Sequence, residues 1–474
     1  MMKNNFDVII GIEIHVELST KTKMFSPAGI DFEANPNTKA HHIDLAYPGT
    51  LPLVNKQAVK SGVALAKALD MKIDDELHFD RKNYFYPDLP KGYQITQFFR
   101  PIGSNGKIEI TLPDDSTKEI EIERIHLEED TARQHHSDEG TKIDYNRAGV
   151  PLIEIVSHPT IHSADEAYAY VDAIRRTVLT LGISNAKLEQ GSLRADINIS
   201  LRPKGTNYFG TKVEIKNMNS LSNIKKAIEY EIELQTTKLL KGEAILQETK
   251  RFDDQSNQTV TMRVKTGTAD YKYFPEPNIP FIKLSPEFIS SVELPEMPKA
   301  KKARYESEKI NPIYVKSLLN DIELSKYFDS IQYSDREKLS KVFFAELVSM
   351  ANAQSKNAYD LNVKPEHIKS ALELLDQEVI SGKSLKKLIS LLPDFNGEVK
   401  DLVDQHNLAQ IIDPVLITSE IEKYLEIKPE SVTEYKERPE RVLKMILGHL
   451  MKISGGQISP VVADSIAKDV LSKK

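Results

Sequence analysis

The sequence predicts an α+β protein, in which an N-terminal domain built around a mainly antiparallel sheet is followed by all-α helical and tail domains. Up to Leu294, short segments of alternating apolar and polar residues predominate and are separated by glycine and proline. Beyond Pro295 the alternation disappears, and apolar residues recur every three or four positions, which is typical of amphipathic helices. At roughly 150 residues per domain, a chain of 474 residues is expected to form about three domains.

The N-terminal domain has more strand signals than helix signals. The segments with strand-like alternation are 8–18, 107–112, 119–127, 150–156, 196–201 and 260–264. One helix is marked by a capping box at Ser163 and Glu166 and by a stop at Gly182. Further helices are expected over 222–240 and 57–69. Few helices separate the strands, which favours antiparallel pairing.

Two breaks divide the helical half of the chain. A lysine-rich segment, 299–309, follows the last strand signal, and the run 393–397 contains proline, aspartate and glycine between two helical patterns. The predicted domains are therefore 1–294, 295–396 and 397–474, the last being a helical tail.

Composition excludes several classes of site. The net charge of -7 argues against a general nucleic-acid coat, although a local basic patch remains open. The chain contains no cysteine, which excludes disulfides, thiolate zinc sites, iron–sulfur clusters and a cysteine nucleophile. No segment approaches the roughly 20 apolar residues of a membrane span, and the N-terminal residues do not form a signal peptide. The sequence therefore predicts a cytoplasmic protein without membrane association.

The first strand carries a polar face with potential chemistry. Because side chains alternate along a strand, Glu13, His15 and Glu17 point to one side, opposite an apolar face. Two carboxylates and an imidazole on one face could hold a hard divalent cation or transfer protons. The alternative is the solvated polar face of a half-exposed strand.

Glu128 and Glu129 belong to a run of acids that is expected to end the strand 119–127. The alternation slips at residues 123–124, which predicts a β-bulge of the kind that often lies near functional sites. Crowded carboxylates repel one another, and a cation among them removes that repulsion. The alternative is ordinary solvated charge on a loop.

Glu154 lies in the nearly continuous apolar run 150–156, which predicts a strand buried on both faces. A buried carboxylate without a partner is costly. One interpretation is a structural ion pair, with Arg147 as a nearby candidate. The other is a metal or catalytic role, which gains weight if Glu13, His15 and Glu129 converge on Glu154.

Common nucleotide and hydrolase motifs are absent. The chain has no G-x-x-x-x-G-K-[ST], no G-x-G-x-x-G and no G-x-S-x-G. Lys82 and Arg194 are candidates for contacting phosphate, although each is individually more typical of a structural or solvated charge.

The chain resembles the B-subunit family of the tRNA-dependent amidotransferases, which convert Glu-tRNA(Gln) and Asp-tRNA(Asn) to the corresponding amides. The resemblance covers nearly the whole chain, and its most specific piece is DYNRAGVPLIE at 144–154. The other matching segments are 11–18, 44–49, 80–88, 127–130, 191–194, 271–277 and the tail run 451–460.

The resemblance implies a cradle domain with a kinase-like pocket. ATP would phosphorylate the side-chain carboxylate of the misacylated amino acid. Ammonia from the glutaminase, the A subunit of the complex, would displace the phosphate, with a small C subunit completing the heterotrimer. The residues that the family uses for Mg²⁺ match Glu13, His15, Glu129 and Glu154. We expect Glu128 or Glu129 to accept a proton from ammonia, Lys82 and Arg194 to complete the catalytic set, and the tail to bind tRNA.

One departure from the family concerns zinc. Many members carry four cysteines in the segment that matches 25–44, and this chain has none there, so no zinc is expected. Gln190 also stands where some relatives have glutamate, which leaves the role of that carboxylate open.

Two other functions remain open from the sequence, a non-catalytic tRNA-binding scaffold and a stand-alone metal-dependent hydrolase. The choice between tRNA(Gln) and tRNA(Asn) as substrate is also open.

Overall fold

A computed structural model describes residues 5–264 and 271–474 of the chain. The chain divides into two compact units, Met1–Pro298 and Lys299–Lys474. The first unit combines a large sheet with smaller sheets and helices, and the second is helical. The predicted α+β class is therefore confirmed.

The strands of the first unit are β1 (Phe6–Glu17), β2 (Lys72–Ile73), β3 (Glu76–Leu77), β4 (Asp80–Asn83), β5 (Tyr93–Thr96), β6 (Gly103–Thr111), β7 (Thr117–Glu129), β8 (Arg133–Ser137), β9 (Gly140–Asp144), β10 (Pro151–Ser157), β11 (Leu193–Pro203), β12 (Val213–Met218), β13 (Glu248–Asp253), β14 (Gln258–Val264), β15 (Lys272–Pro275) and β16 (Ile282–Lys283). Its helices are α1 (Lys56–Ala68), α2 (Ala164–Thr180), α3 (Leu221–Leu240) and α4 (Pro286–Ser290). The predicted strands and the three predicted helices all occur among these elements.

A nine-stranded sheet in the order β14-β13-β12-β11-β1-β10-β7-β6-β2 forms the centre of the first unit. The neighbouring strands are antiparallel except for the parallel pair β12 and β13. Strand β1 pairs with β10 on one side and β11 on the other. The N-terminal strand therefore lies between segments that are far away in sequence.

One face of the sheet is apolar and forms the core. Ile10, Ile12 and Ile14 of β1 are at most 1% exposed and belong to one cluster with residues of α1, α2 and α3. Burial of each such side chain contributes about 1.5–3 kcal/mol. Because side chains alternate, this packing forces the polar residues of β1 onto the other face.

Local signals fix helix α2 and the irregularity in β7. The hydroxyl of Ser163 accepts a hydrogen bond from the backbone N–H of Glu166 at 3.1 Å, and Gly182 beyond the helix has a φ of +66°. The register between β7 and β10 shifts between Val156 and Ser157, opposite the predicted slip at residues 123–124. The predicted β-bulge is thus confirmed.

The second unit contains α5 (Pro298–Ser307), which begins at the last residue of the first unit, followed by α6 (Pro312–Asn320), α7 (Ile322–Ser330), α8 (Arg336–Val342), α9 (Ser349–Ala353), α10 (Pro365–Asp376), α11 (Gly382–Ser390), α12 (Val399–Gln405), α13 (Pro414–Ile427), α14 (Glu430–Glu437), α15 (Pro439–Ile453) and α16 (Pro460–Ser472). A π-helical turn, Phe343–Val348, joins α8 to α9, and a 3-10 turn, Ala358–Leu361, follows.

Two apolar clusters stabilise this unit. The first runs from Tyr305 to Leu408 and the second from Ile417 to Leu471. Helix α12 packs in the first cluster through Val399, Leu402 and Val403. After the turn at 393–397 the chain therefore still packs against the first cluster. It leaves that cluster only after Leu408.

None of the helices in the described ranges is both long and apolar enough to cross a membrane.

Candidate active site

The polar face of the central sheet carries a row of titratable residues. In the register of the antiparallel strands, His126 of β7 lies opposite Glu154 of β10, which lies opposite His15 of β1, which lies opposite Arg194 of β11. Directly opposed residues share one face of a sheet. The four side chains therefore form a continuous row across four strands.

Four side chains on this face meet in what we call the acid–histidine cluster, His15, His126, Glu128 and Glu154. Nε2 of His15 lies 3.4 Å from Oε2 of Glu154 and 3.9 Å from Oε1 of Glu128. Nε2 of His126 lies 3.1 Å from Oε2 of Glu154 and 3.4 Å from Oε2 of Glu128. The hydroxyl of Thr96 donates to Oε2 of Glu128 at 3.2 Å.

The electrostatics of the cluster follow from these distances. Burial acts to lower the pKa of His15, but Glu154 and then Glu128 outweigh it and raise the pKa to about 9. The pKa of His126 is also raised to about 9 against the effect of burial, by the same two carboxylates. Burial acts to raise the pKa of Glu154, yet His126 and His15 hold it well below its ordinary value. Protonated imidazoles thus balance the carboxylates, and a metal ion that used His15 as a ligand would displace its proton.

The donor set fits a hard divalent cation. Ligand atoms of His15, Glu128 and Glu154 lie within 4.8 Å of one another, and within residues 5–264 and 271–474 this is the one group of His, Asp and Glu with that property. Mg²⁺ prefers a few carboxylate oxygens and retains water or phosphate in its other positions. The cluster offers those oxygens on a largely buried surface.

Glu13 lies beside the cluster on the same face of β1. Its Oε1 accepts a hydrogen bond from the amide of Asn198 at 3.1 Å. Burial, and then the neighbouring carboxylates Glu154 and Asp196, raise the pKa of Glu13. This repulsion would be relieved by a cation at the cluster. The structure therefore brings together Glu13, His15 and Glu154, as the sequence predicts.

The structure does not bring Glu129 to the cluster. It lies on the opposite face of β7, where Oε1 is 2.5 Å from Nζ of Lys91 and accepts from the backbone N–H of Ile95 at 3.1 Å. Burial raises the pKa of Glu129, and Lys91 only partly opposes the effect. The predicted metal and catalytic roles of Glu129 therefore remain predictions without geometric support.

Glu129 is placed differently from the prediction because β7 continues to Glu129. The sequence analysis instead predicts that the strand ends at the run of acids. In a continuing strand, His126 and Glu128 share one face and Glu129 takes the other. Sequence reasoning missed His126, although its spacing of two residues from Glu128 is the signal that would have found it.

Lys82 of β4 lies opposite Gln94 and therefore on the same face of its small sheet as Thr96, the donor to Glu128. Burial acts to lower the pKa of Lys82, but Glu128, Tyr273 and Glu154 outweigh this effect and raise it. The amine is therefore a cation at the edge of the acid–histidine cluster.

Arg194 ends the row and is held in place by Asp130. Its Nη2 lies 2.7 Å from Oδ2 of Asp130, and Nε of Arg147 lies 3.7 Å from the same oxygen. Arg147 thus pairs with Asp130, and the partners of Glu154 are the two histidines. The ion pair between Arg147 and Glu154, which the sequence left open, is not formed.

The cysteine-free segment 25–44 is attached to the rest of the unit by polar side chains. The amine of Lys23 donates to Oδ2 of Asp44 at 3.0 Å, and both side chains are at most 1% exposed. The amide of Asn146 donates to the carbonyl of Asn35 at 2.9 Å, and its oxygen accepts from the backbone N–H of Lys39 at 2.8 Å. The expectation that no zinc binds here remains a prediction.

Two protein families match the chain. The family described as the GatB/GatE catalytic domain matches residues 8–290, and the family described as the GatB domain matches residues 326–471. The first match contains every residue of the acid–histidine cluster, together with Glu13, Lys82 and Arg194.

Similar proteins cover the chain almost end to end. The relative from Mycoplasmopsis agalactiae is 63% identical over 99% of both chains, and that from Mycoplasmopsis synoviae is 61% identical over 98% of both chains. The relative from Mycoplasmopsis pulmonis is 55% identical over 99% of both chains. Each of the three is named as the B subunit of an aspartyl/glutamyl-tRNA(Asn/Gln) amidotransferase.

Proposed function

Because the chain belongs to the GatB family, we infer that this protein is a subunit of an ATP-dependent amidotransferase, a carbon–nitrogen ligase that acts on aminoacyl-tRNA. The observation that carries this inference is the acid–histidine cluster on the polar face of the central sheet, which unites residues from β1, β7 and β10. The substrates are Glu-tRNA(Gln), Asp-tRNA(Asn) or both.

The reaction has two chemical steps. An oxygen of the side-chain carboxylate of the misacylated amino acid attacks the γ-phosphorus of ATP, and ADP leaves. Ammonia then attacks the acyl phosphate carbon, inorganic phosphate leaves, and the nitrogen loses a proton as the amide forms. Because the substrate supplies the nucleophile, the protein needs to position reactants and neutralise charge.

The residues that would hold Mg²⁺ are His15, Glu128 and Glu154, with Glu13 beside them. When bound, the ion would neutralise charge on the transferred phosphoryl group. Lys82 supplies a second positive charge on the same side of the cluster, where the nucleotide phosphates are expected. Arg194 is tethered by Asp130, so its remaining N–H groups are positioned at the end of the row.

Of the two adjacent carboxylates considered as proton acceptors, Glu128 is the better placed. It faces the cluster, whereas Glu129 is engaged with Lys91 and the backbone of Ile95 on the other face. A proton acceptor must come within hydrogen-bond reach of the attacking amine. We therefore assign this role to Glu128.

A scaffold without catalysis gains nothing from such a cluster. Burying carboxylates and imidazoles together costs desolvation energy that well-packed apolar residues would avoid. The cost is understandable when the same groups bind a cation and a nucleotide. The expected partners are tRNA and two further proteins of the complex, the glutaminase (A) and small (C) subunits.

The decisive experiment reconstitutes the complex with candidate A and C subunits and supplies Glu-tRNA(Gln) and Asp-tRNA(Asn) in separate reactions. We expect amide formation that requires both ATP and Mg²⁺, and a phosphorylated aminoacyl-tRNA when ammonia is withheld. Amide formation without ATP would contradict the proposal, as would hydrolysis of small substrates in the absence of tRNA.

The tail is proposed to contact tRNA through exposed basic residues such as Lys444 and Lys452. Removal of residues 411–474 deletes the second apolar cluster and leaves the first intact. We expect the truncated complex to bind tRNA at least about tenfold more weakly, with a shallower dependence on salt, because phosphate contacts are lost. Filter binding at several salt concentrations measures this effect.

The control for the truncation is thermal unfolding of the first unit, which should be unchanged. An unaltered dissociation constant for tRNA would show that the tail makes no contact with it.

A further inference from the structure

A row of aromatic rings borders the acid–histidine cluster. The three-stranded sheet β15-β4-β5 places Tyr273 opposite Lys82, and the neighbouring positions on the same face are Tyr271 and Tyr84. Phe98, just beyond β5, stacks on Tyr273 with ring centroids 3.9 Å apart and planes inclined by 15°. We call Tyr84, Phe98, Tyr271 and Tyr273 the aromatic row.

Two rings of this row are open to solvent, and the other two, Tyr84 and Tyr273, are half-buried. Phe98 is 47% exposed and Tyr271 is 52% exposed, and Phe99, which contacts Phe98 edge to face, is 57% exposed. Aromatic side chains that serve a core bury their faces, because burial is the source of their stabilisation. These exposed faces are therefore available to a planar ligand.

The row is held rigidly by buried polar groups beneath it. Oδ2 of Asp80, a residue that is 2% exposed, accepts hydrogen bonds from the backbone N–H groups of Phe98 and Phe99 at 2.7 and 3.0 Å. Arg81 donates twice to Glu276, at 2.6 and 3.1 Å, which fastens the end of β15 to β4. A binding surface fixed in this way loses little conformational entropy when a ligand arrives.

The row is also directly connected to the candidate active site. Nζ of Lys82 lies 4.9 Å from the centroid of the Tyr271 ring, and Glu128 and Glu154 are near enough to help raise the pKa of the same amine. Thr96, two residues before Phe98, donates to Glu128. If a planar ring stacked on the aromatic row, the chemical groups attached to that ring would thus lie beside the acid–histidine cluster.

We propose that the aromatic row binds the unpaired 3′ end of the aminoacyl-tRNA, with a base stacked beside Phe98 and Tyr273. This inference rests on the proposed function. The reactive carboxylate belongs to an amino acid esterified to the ribose of the terminal nucleotide, so the terminal base must lie close to the site of phosphorylation. Open aromatic rings interleaved with a cation are the surface that single-stranded nucleic acids use.

The adenine of ATP fits this surface less well. Sites for small ligands are concave and enclose most of the ligand surface. The row instead extends over several half-exposed rings and offers more stacking surface than one base requires. A single strand that enters from solvent uses such an open, extended surface.

The test measures KM for Glu-tRNA(Gln) and for ATP in the complex with the A and C subunits, with ammonium as the nitrogen donor. Phe98→Leu and Tyr273→Leu remove an aromatic face while keeping an apolar side chain of similar size. Each should raise KM for the aminoacyl-tRNA by about tenfold, whereas KM for ATP should change by less than about twofold. Tyr273→Phe keeps the ring and should retain the wild-type KM for tRNA.

The matched control is Phe281→Leu, because Phe281 is an exposed ring that stacks on His78, outside the aromatic row. It should leave both KM values unchanged. Wild-type protein should also lose affinity for tRNA that lacks its terminal adenosine, and the Phe98→Leu variant should show no further loss with the shortened tRNA. Equal thermal unfolding of all variants excludes a folding defect.

An increase of KM for ATP alone would assign the row to the adenine of ATP and overturn the proposal, as would unchanged KM values in both leucine variants. A wild-type complex without ATP-dependent transamidation would overturn the proposed function itself. An active wild-type complex with unaffected variants would overturn only the inference about the aromatic row.

Discussion

Glu128→Gln is expected to lower the rate of ATP-dependent amide formation by about a thousandfold, a loss at the upper end of those caused by removing one charge-stabilising group from an active site. The carboxylate faces His15 and His126 and is one of the three groups that could hold a cation. Glutamine has nearly the same volume, so the change removes the charge and leaves the packing of β7 intact. Single-turnover formation of the amide measures the effect, and the phosphorylated Glu-tRNA followed in the same reaction shows how much of the loss arises in the first step.

Glu129→Gln is the matched control, since it makes the same chemical change at the next residue of the strand. Glu129 lies on the other face and pairs with Lys91, so we expect amide formation from ammonium to fall by less than about tenfold, the smallest loss common for a supporting residue at a metal site. The variant should unfold at a lower temperature, because the amine of Lys91 would lose its carboxylate partner. Equal losses of phosphorylation in the two variants would contradict the placement of the site on one face.

Lys23→Met is expected to lower the free energy of unfolding of the first unit by about 3–5 kcal/mol, because removing one partner of a buried ion pair leaves the other charge uncompensated. Burial acts to lower the pKa of Lys23, and the nearby carboxylate of Asp44 only partly opposes this effect. Asp44 also accepts from the backbone N–H of His41 at 2.9 Å. The pair thus connects segment 25–44 to Lys23 and, through the same amine, to the carbonyl of Tyr145.

Urea-induced unfolding of the complete chain, followed by circular dichroism and by proteolysis of segment 25–44, measures this loss. The double variant Lys23→Met with Asp44→Asn removes both charges and keeps an acceptor for His41, so it should be more stable than Lys23→Met alone. A loss below about 1 kcal/mol in the single variant would place the pair among ordinary surface ion pairs.

The elements of the fold could largely be predicted from short-range patterns. The alternation in β1 places Glu13, His15 and Glu17 on one face because the apolar residues between them must be buried. The capping box at Ser163 and the stop at Gly182 predict helix α2 in the same local way. These signals arise from residues within a few positions of one another, so a sequence reveals them without knowledge of the tertiary fold.

Only some of the residues that form the candidate active site could be predicted from the sequence. Glu154 was identified from its burial in an apolar strand, but its partners His15 and His126 depend on which strands lie beside β10. Glu128 and Glu129 were both candidates, and the choice between them depends on whether β7 continues through the acids. The aromatic row was missed because Phe98 and Tyr273 are far apart in the sequence and meet only through the pairing of β4, β5 and β15.

The sequence by itself thus determined the class of the protein, its family resemblance, its helices and strands and the chemical character of its polar faces. Tertiary structure decided which polar faces meet, because β1 lies between two strands more than one hundred residues away and carries His15 to Glu154. The face of the sheet on which a side chain lies follows from its position along its own strand, because side chains alternate. The identity of its neighbours is fixed by long-range strand pairing, which depends on burying the whole apolar face of the sheet at once.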